Sequence, residues 1–196
     1  MSFCLTAILG VAQAQFQVNP QLGVTYQHMT DAQETVDYKA ALGWQVGADL
    51  RIGDRVFFQP GAMFGQNTTI VSYVQNDEVV EEDNLIRTTL KLKALGGYRI
   101  VDGELFDLRV MVGPTYDVLL SVDNKDDQID WNEGNFNDGS FNIDAGLGFD
   151  MGWFTLEPSV SFGRSRAFKE TDNLENINSK YLTYGLTMGL NFGNDD

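Results

Sequence analysis

Eight segments of this chain alternate apolar and polar residues at every second position, which is the pattern of a β-strand whose two faces meet different environments. In the second segment, for example, Leu42, Trp44 and Val46 alternate with Gly43 and Gln45. The segments cover residues 16–27, 40–52, 56–65, 85–100, 106–120, 141–151, 154–163 and 182–192. Most of them exceed the roughly five or six residues of an ordinary globular strand, so the sequence predicts long strands and an all-β fold.

The connections between these segments alternate between short and long. Tight turns are predicted near Gly53, Gly103 and Gly152, whereas long polar connections cover residues 28–39, 66–84, 123–140 and 164–180. Outer-membrane barrels have an even number of strands, short periplasmic turns and long extracellular loops. The sequence therefore predicts an eight-stranded antiparallel up-and-down transmembrane β-barrel with both termini in the periplasm. Pro60 lies inside the third segment and predicts a bulge or a weakened pairing there.

Alternation alone does not tell whether the apolar face packs in a core or meets lipid, so a soluble lipocalin-like barrel is the alternative. Glycines such as Gly47, Gly113 and Gly146 crowd the polar face, which suits a narrow lumen. Aromatic residues such as Trp44 and Tyr98 gather near the ends of the apolar strips, as in interfacial girdles. We therefore predict that the polar face lines the lumen and the apolar face meets lipid. Side chains expected near mid-depth in the lipid are Leu90, Val110 and Leu186.

The polar face also carries seven bases and six acids, a nearly balanced set within a chain whose formal net charge is -15. Charges buried in a lumen require such balance, because an unpaired buried ion is strongly destabilising. Eight strands leave an interior only wide enough for side chains, so we predict a paired network that fills the lumen. Its members are Asp49, Arg51, Arg55, Arg87, Lys91, Lys93, Arg99, Asp107, Arg109, Asp117, Asp144, Asp150 and Glu157.

Residues 1–14 hold an apolar stretch that ends in Ala12-Gln13-Ala14, which resembles the cleavage pattern of a secretory signal. The stretch contains no Lys or Arg, so either the start is truncated or the stretch is a buried strand or short helix of the mature protein. No run of about 18 apolar residues occurs, which excludes a transmembrane helix. No linker divides the remainder, and we predict one barrel domain over residues 15–196.

Composition and the scarcity of reactive residues argue against nucleic-acid binding and catalysis. A pI near 4.2 does not suit phosphate binding, and the single cysteine, Cys4, allows neither a disulfide framework nor a thiolate metal site. The only histidine, His28, has no placed partners and is expected to be a surface residue. We predict no enzyme activity and no cofactor. Acids in the third long connection are candidates for weak divalent-cation binding, although their spacing does not fit an EF-hand. They are Asp123, Asp126, Asp127, Asp130 and Glu133.

Several short motifs, taken in order, make the chain resemble the porin-family outer-membrane β-barrel domain that is widespread in Bacteroidota-type bacteria. They are Ala12-Gln13-Ala14-Gln15, Phe58-Gln59-Pro60-Gly61, Val112-Gly113-Pro114, Phe141-Asn142-Ile143-Asp144-Ala145-Gly146-Leu147-Gly148 and Gly189-Leu190-Asn191-Phe192. The resemblance implies insertion into the bacterial outer membrane through a C-terminal aromatic signal at Phe192. It implies no catalytic residues, because the family shares none.

These observations predict a small outer-membrane barrel with a plugged lumen, whose acidic extracellular loops give it a structural or surface-binding role. The four long connections carry seventeen acids and six bases, so a protein or cation partner would meet a negative rim. An accessory barrel of a secretion or transport machine is the alternative. A barrel enzyme and a soluble lipocalin-like ligand binder are less favoured. Outer-membrane lipid is the partner that the apolar face requires.

Overall fold

A computed structural model of the protein describes residues 16–30, 36–75, 78–103, 105–124, 138–164 and 180–193. The signal predicted for residues 1–14 lies outside these ranges. In the part of the chain that is described, no helix is long and apolar enough to cross a membrane. The strands are β1 (Phe16–Thr30), β2 (Val36–Gly53), β3 (Val56–Gln75), β4 (Glu78–Val101), β5 (Asp107–Asn124), β6 (Gly139–Met151), β7 (Phe154–Gly163), β8 (Lys180–Leu190) and β9 (Phe192–Gly193).

The strands close into a barrel because each one pairs antiparallel with its neighbours in the chain and β1 pairs with both β2 and β8. The short strand β9 continues the line of β8. Gly189 of β8 pairs with Gln21, and Phe192 of β9 pairs with Val18 in the same register. β8 and β9 therefore act as one strand of the wall, and the predicted eight-stranded antiparallel barrel is confirmed.

The tight turns lie at one end of the barrel and the long connections at the other, and these are named the turn end and the loop end. At the turn end, Gly53 and Gly152 have φ values of 121° and 60°. These values lie in the left-handed region, where any side chain would be strained. The chain can therefore reverse within two residues between β2 and β3 and between β6 and β7.

The long connection predicted over residues 66–84 is wrong, because β3 and β4 stay paired through most of it. Their pairing runs from Val56–Tyr98 to Gln75–Glu78, which leaves only residues 76 and 77 between the two strands. β2 likewise begins at Val36, inside the connection predicted over residues 28–39. The Thr, Ile, Val and Tyr residues of 68–74 favour strands. The alternation fades there because only a strand that separates lipid from lumen needs it.

The pairing between β2 and β3 is weakened at Pro60 but has no bulge there. It passes from Asp49–Gly61 to Ile52–Phe58 in unchanged register. Proline has no N–H to donate, so the ladder loses a hydrogen bond without gaining a residue. Of the two outcomes predicted for this position, the structure has the weakened pairing.

The two faces of the wall differ in polarity. Outward-facing side chains are apolar and exposed: Leu22, Val112 and Leu186 expose 61%, 57% and 41% of their surface. Inward-facing side chains are mostly polar and buried. An apolar band of this extent is stable only against lipid, so the outward face is the membrane face. The apolar and aromatic side chains that are buried are Phe57, Met63, Leu95, Met111 and Tyr181.

Aromatic side chains form two belts on the outward face. On β8 and β9 the belts are eight residues apart, from Tyr184 to Phe192. At ~3.3 Å per residue and a strand tilt of ~40°, that separation spans roughly 20 Å of bilayer, close to the apolar band of outer-membrane barrels. The exposed belt residues are Phe16, Phe58, Tyr98, Phe106, Trp153 and Phe192 at the turn end and Tyr26, Trp44, Phe64, Tyr116, Phe141, Phe162 and Tyr184 at the loop end.

Candidate functional site

Buried charged side chains gather in the turn-end half of the interior around Arg109 of β5, which has no exposed surface. Arg109 Nε donates to Asp150 Oδ2 at 2.7 Å, and Nη2 donates to Asp150 Oδ1 at 2.9 Å. The same Nη2 donates to Glu157 Oε1 at 3.0 Å. Two-point pairing of a guanidinium with a carboxylate is one of the strongest ion-pair geometries. It links β5, β6 and β7 through their inward side chains.

A second arginine, Arg51 of β2, reaches the same carboxylate from another part of the wall. Its Nη1 donates to Asp150 Oδ2 at 3.1 Å and to Gln17 Oε1 at 2.6 Å. The guanidinium carbons of Arg51 and Arg109 each lie 5.7 Å from the centre of the Phe57 ring. The electron-rich ring face favours the two positive charges that it meets. Phe57 therefore belongs with the ionic residues although it is apolar.

Lys93, Asp49 and Gln59 continue this pairing along the lumen. Lys93 Nζ lies 2.6 Å from Asp49 Oδ2, and Gln59 Nε2 donates to the same oxygen at 2.8 Å. Gln59 Oε1 accepts from Arg109 Nη1 at 3.2 Å, and its Nε2 donates to Glu157 Oε1 at 3.3 Å. This set, named the turn-end cluster, has three bases and three acids. Its members are Asp49, Arg51, Gln59, Lys93, Arg109, Asp150 and Glu157.

An apolar layer adjoins the turn-end cluster on β3, β4 and β5, where Met63, Leu95 and Met111 are buried. A cavity of about 40 Å³ borders these three side chains together with Lys91 and Lys93. A space of that size holds roughly three water molecules. The cavity is therefore a place for buried water.

A second group of charges, named the loop-end cluster, consists of Arg87, Lys91, Asp117, Asp144 and Tyr181. Lys91 Nζ lies 3.3 Å from Asp144 Oδ2 and 3.9 Å from Asp117 Oδ1. The guanidinium carbon of Arg87 lies 4.1 Å from the centre of the Tyr181 ring. The side chains of Lys91 and Asp117 keep 17% and 15% of their surface exposed. The cluster is thus balanced in charge but more loosely paired and wetter than the turn-end cluster.

A third group surrounds Arg99 at the turn-end mouth of the barrel. Arg99 Nη1 lies 3.3 Å from Asp54 Oδ1 and 3.4 Å from Asp102 Oδ1, and its Nε lies 3.7 Å from Asp107 Oδ2. The side chains of Asp54 and Asp102 are at least half exposed. Solvent screens such pairs, so they contribute little to stability.

Arg55, which the sequence assigned to the lumen, is exposed and lies outside the interior. It stands in the turn between β2 and β3, where the strand alternation does not apply, and its guanidinium carbon lies 5.9 Å from the Tyr98 ring centre. The structure places the other twelve residues of that set in the turn-end cluster, the loop-end cluster or the mouth around Arg99. Six of them are bases and six are acids.

The remaining candidates for chemistry are dispersed. His28 of β1 is exposed, and its backbone partner on the neighbouring strand β8 is Leu182. Asp123 is also exposed and accepts a hydrogen bond from Ser121 Oγ at 3.3 Å. The other acids predicted for that connection, namely Asp126, Asp127, Asp130 and Glu133, lie outside the described residues. Within the described ranges, no three His, Cys, Asp or Glu side chains are arranged to hold a metal ion.

Sequence reasoning missed the neutral members of the interior network. Gln59 and Thr155 have no exposed surface, and Asn19 and Gln17 expose 1% and 6%. A signal for them existed, because each occupies the same phase of the alternation as the charged residues of its strand. The predicted set contains charged residues alone, whereas neutral amides also donate and accept hydrogen bonds with buried charges.

Comparison with known proteins is consistent with this architecture. Residues 11–169 match the family described as an outer membrane protein beta-barrel domain. The chain is similar in structure to the outer membrane protein OprG from Pseudomonas aeruginosa, at 15% identity over 91% of this chain and 96% of that chain, with a TM-score of 0.54. At that identity the likeness shows the fold alone.

Two further solved structures share a lower similarity. One is Ail, the attachment invasion locus protein of Yersinia pestis, in complex with the heparin analogue sucrose octasulfate, at 16% identity over 91% of this chain and 99% of that chain, with a TM-score of 0.48. The other is Neisserial surface protein A, at 9% identity over 90% of this chain and 97% of that chain, with a TM-score of 0.48. No curated protein sequence matches the chain.

Proposed function

The chain belongs to the outer membrane protein beta-barrel domain family and lies in the bacterial outer membrane, and from this premise we propose that it is a barrel with a closed lumen that acts through its extracellular rim. The role is non-catalytic and either structural or surface-binding. Short turns face the periplasm in such barrels, so the turn end is periplasmic and the loop end extracellular.

Bonds that cross the lumen are the main support for a closed interior. Arg109 of β5 contacts Gln59 of β3, Asp150 of β6 and Glu157 of β7. Arg51 of β2 contacts Asp150 of β6, which is four strands away. Five of the eight wall strands are therefore joined by side chains at one level. An eight-stranded wall leaves no room for a water column beside such a layer.

The charge balance of the turn-end cluster favours a permanent closure. A buried ion that loses its partner is strongly destabilising, so the bases and acids of the cluster can separate only at a high energetic cost. Gln59 joins Asp49, Arg109 and Glu157 through three further hydrogen bonds. A side-chain network of this kind restrains the strands that it joins. The cluster therefore acts as a plug that also holds the wall together.

The strands extend to different lengths beyond the loop-end belt, which supports a binding role for the side of the rim that projects furthest. β3 continues for eleven residues beyond Phe64 of the loop-end belt, whereas β7 ends one residue beyond Phe162. The hairpin formed by β3 and β4 is therefore the longest part of the wall. Residues 76–84, at and beside its reversal, contain five acids and no base. Such a charge distribution attracts cationic partners over a distance of about one Debye length.

The closed lumen is tested by solute flux into liposomes. The purified barrel is reconstituted in liposomes, and swelling is followed in an isosmotic solution of a small sugar. We expect swelling no faster than that of protein-free liposomes. A variant with Arg109, Asp150 and Glu157 all changed to Ser should admit the sugar, provided that it folds, and so shows that the assay detects an open lumen. Rapid swelling with the unaltered barrel would refute the closure.

The role of the rim is tested with a shortened hairpin. Residues 70–84 are replaced by Asn-Gly, which forms a tight turn between Thr69 and Leu85, residues that pair in the present structure. We expect this variant to remain closed to sugar but to bind a poly-lysine peptide more weakly than the complete barrel does. Equal binding by the two proteins, or binding that does not weaken with salt, would contradict a role for the acidic hairpin.

A further inference from the structure

Four strands of the barrel wall each carry one proline in their interior at an outward-facing position. These are Pro20 in β1, Pro60 in β3, Pro114 in β5 and Pro158 in β7, and the chain contains no other proline. Prolines inside sheets normally occur at edge strands, strand starts or bulges. A closed barrel has no edge, so four prolines in this arrangement need a separate explanation.

Each proline interrupts one of the ladders beside it. The pairing of β4 with β5, for example, passes from Lys93–Thr115 to Gly96–Val112 in unchanged register and omits the position of Pro114. Because proline has no N–H, the carbonyl opposite it has no backbone donor. The same interruption divides β8 from β9 opposite Pro20. The carbonyls so affected, each facing a proline, are those of Leu50, Ala94, Leu147 and Leu190.

The interruptions, named the proline seams, alternate with intact ladders around the barrel. They lie between β8 and β1, β2 and β3, β4 and β5, and β6 and β7. The pairings of β1 with β2, β5 with β6, and β7 with β8 run without a gap, and that of β3 with β4 is continuous through the membrane band. The wall therefore consists of four intact two-stranded units joined at four weakened seams.

Interior side chains bridge three of the seams close to the proline. Asn19 Nδ2 donates to Asn191 Oδ1 at 2.6 Å across the seam between β1 and β8–β9. Gln59 Nε2 donates across the β2–β3 seam to Asp49, and the Thr155 hydroxyl donates across the β6–β7 seam to Asp150. Asn19 and Gln59 directly precede Pro20 and Pro60 in the chain.

The β4–β5 seam is bridged less closely than the others. The inward residues at its interruption are Leu95 and Gly113, which have no polar side chain. In the described part of the chain, two ion pairs cross this seam. They are Lys91–Asp117 at 3.9 Å and Arg99–Asp107 at 3.7 Å, the second of them near the turn-end mouth. The interior cavity of about 40 Å³ borders this seam at Leu95.

We propose that the barrel wall is hinged along the four proline seams, that interior hydrogen bonds hold three of them closed, and that the β4–β5 seam is the one that opens. The proposal rests on the closed interior described above and adds how that interior is coupled to the wall. Opening at this seam lets water from the cavity reach the Ala94 backbone. Small movements of whole two-stranded units then need not break the membrane-spanning ladders within them.

Residue-resolved amide hydrogen exchange tests the proposal on the complete barrel in lipid nanodiscs. The amide of Ala94 faces the β4–β5 seam, whereas that of Met111 faces the intact β5–β6 ladder at a similar depth. We expect Ala94 to exchange about tenfold faster than Met111, since its carbonyl has lost one ladder bond. Equal rates at the two amides would overturn the proposal.

Three variants distinguish opening of the β4–β5 seam from general instability of the barrel. Pro114→Val restores the missing donor and should slow the exchange of Ala94 to about the rate of Met111. Pro158→Val, which changes the β6–β7 seam and does not neighbour Ala94, is the matched control and should leave the exchange of Ala94 unchanged. Asn19→Leu removes a bridge and should speed the exchange of Leu190. If Pro114→Val leaves the amide exchange rate of Ala94 unchanged, the hinge proposal is contradicted. Amide exchange does not depend on the passage of ions or sugar. A barrel that leaks sugar but still shows faster exchange at the β4–β5 seam would therefore refute the closed lumen and leave the hinge in place.

Discussion

The two ionic clusters of the interior are both balanced in charge, yet their geometry differs. In the turn-end cluster, Arg109 holds Asp150 through two bonds of 2.7 and 2.9 Å with no exposed surface on the arginine. In the loop-end cluster, Lys91 approaches its two acids at 3.3 and 3.9 Å and stays partly exposed. Desolvation strengthens an ion pair and also raises the penalty for losing one partner.

Depth along the barrel, rather than the number of charges, decides how strongly an ion pair contributes to stability. The turn-end cluster is the more deeply buried of the two, and the proposed closure of the lumen rests on it. The loop-end cluster lies nearer the extracellular rim, where water can replace a lost partner. Changes at the two ends should therefore differ in size and in their response to salt, and each prediction below tests that difference.

The largest effect is expected from Arg109→Leu. The change leaves Asp150 and Glu157 buried with too little positive charge, which should lower the free energy of unfolding by about 3–5 kcal/mol. Urea unfolding in lipid vesicles, followed by tryptophan fluorescence, measures the change. The exposed Arg55 supplies the control, and Arg55→Leu should leave stability nearly unaltered. A loss for Arg109→Leu no larger than that of the control would mean that the cluster does not hold the barrel together.

A smaller contrast is expected between two neighbouring lysines of β4. Lys93 lies 2.6 Å from Asp49, whose side chain exposes 1% of its surface, whereas the partners of Lys91 keep 9% and 15% exposed. Lys93→Met should therefore destabilise the barrel by about 3 kcal/mol and Lys91→Met by about 1 kcal/mol. The same urea titrations measure both variants. A larger loss of stability for Lys91→Met than for Lys93→Met would contradict the distinction between the more buried turn-end cluster and the more exposed loop-end cluster.

Arg99→Met tests the turn-end mouth. Two of the three acids around Arg99 are at least half exposed, so water can solvate them when the arginine is removed. We expect a loss of at most about 1 kcal/mol in the unfolding titration. A loss as large as that of Arg109→Leu would show that the mouth, and not the interior, carries the stabilising ion pairs.

The smallest effect is the dependence on salt. Added NaCl screens partly exposed charges but reaches sealed ones poorly. The destabilisation by Lys91→Met should therefore shrink by a few tenths of a kcal/mol between low and high salt, whereas that by Arg109→Leu should stay constant. Unfolding titrations of both variants at two salt concentrations give the comparison. Equal salt sensitivity would place both clusters in the same environment.

Much of the fold was predictable because lipid and lumen impose opposite demands on the two faces of a strand. The alternation around Leu186 or Leu147 is sufficient to locate a strand and to orient it. Outside the membrane band that demand ends, so the pattern over residues 68–74 predicts a loop where the structure has a strand. Arg55 was misplaced for a related reason, because the alternation was extended into a turn.

The pairing within the interior was not predictable from one sequence. Arg51 and Asp150 are 99 residues apart in the chain, and they meet only because of the stagger between strands around the barrel. The alternation places both residues inside but gives neither their height nor their partners. The neutral residue Gln59, which joins Asp49 to Arg109, has no charge to mark it. Local pattern therefore assigns a face, while closure of the barrel assigns the contacts.

Single-channel recording tests the proposed closure of the lumen most directly. The purified barrel is inserted into a planar lipid bilayer in concentrated KCl, and insertion is verified by its heat-dependent migration on a gel. The variant with Arg109, Asp150 and Glu157 changed to Ser is recorded in parallel and should conduct. We expect no steady current through the unaltered barrel at either polarity. A steady conductance through the unaltered monomer would contradict the proposed closure, because ions would then pass through the layer around Arg109.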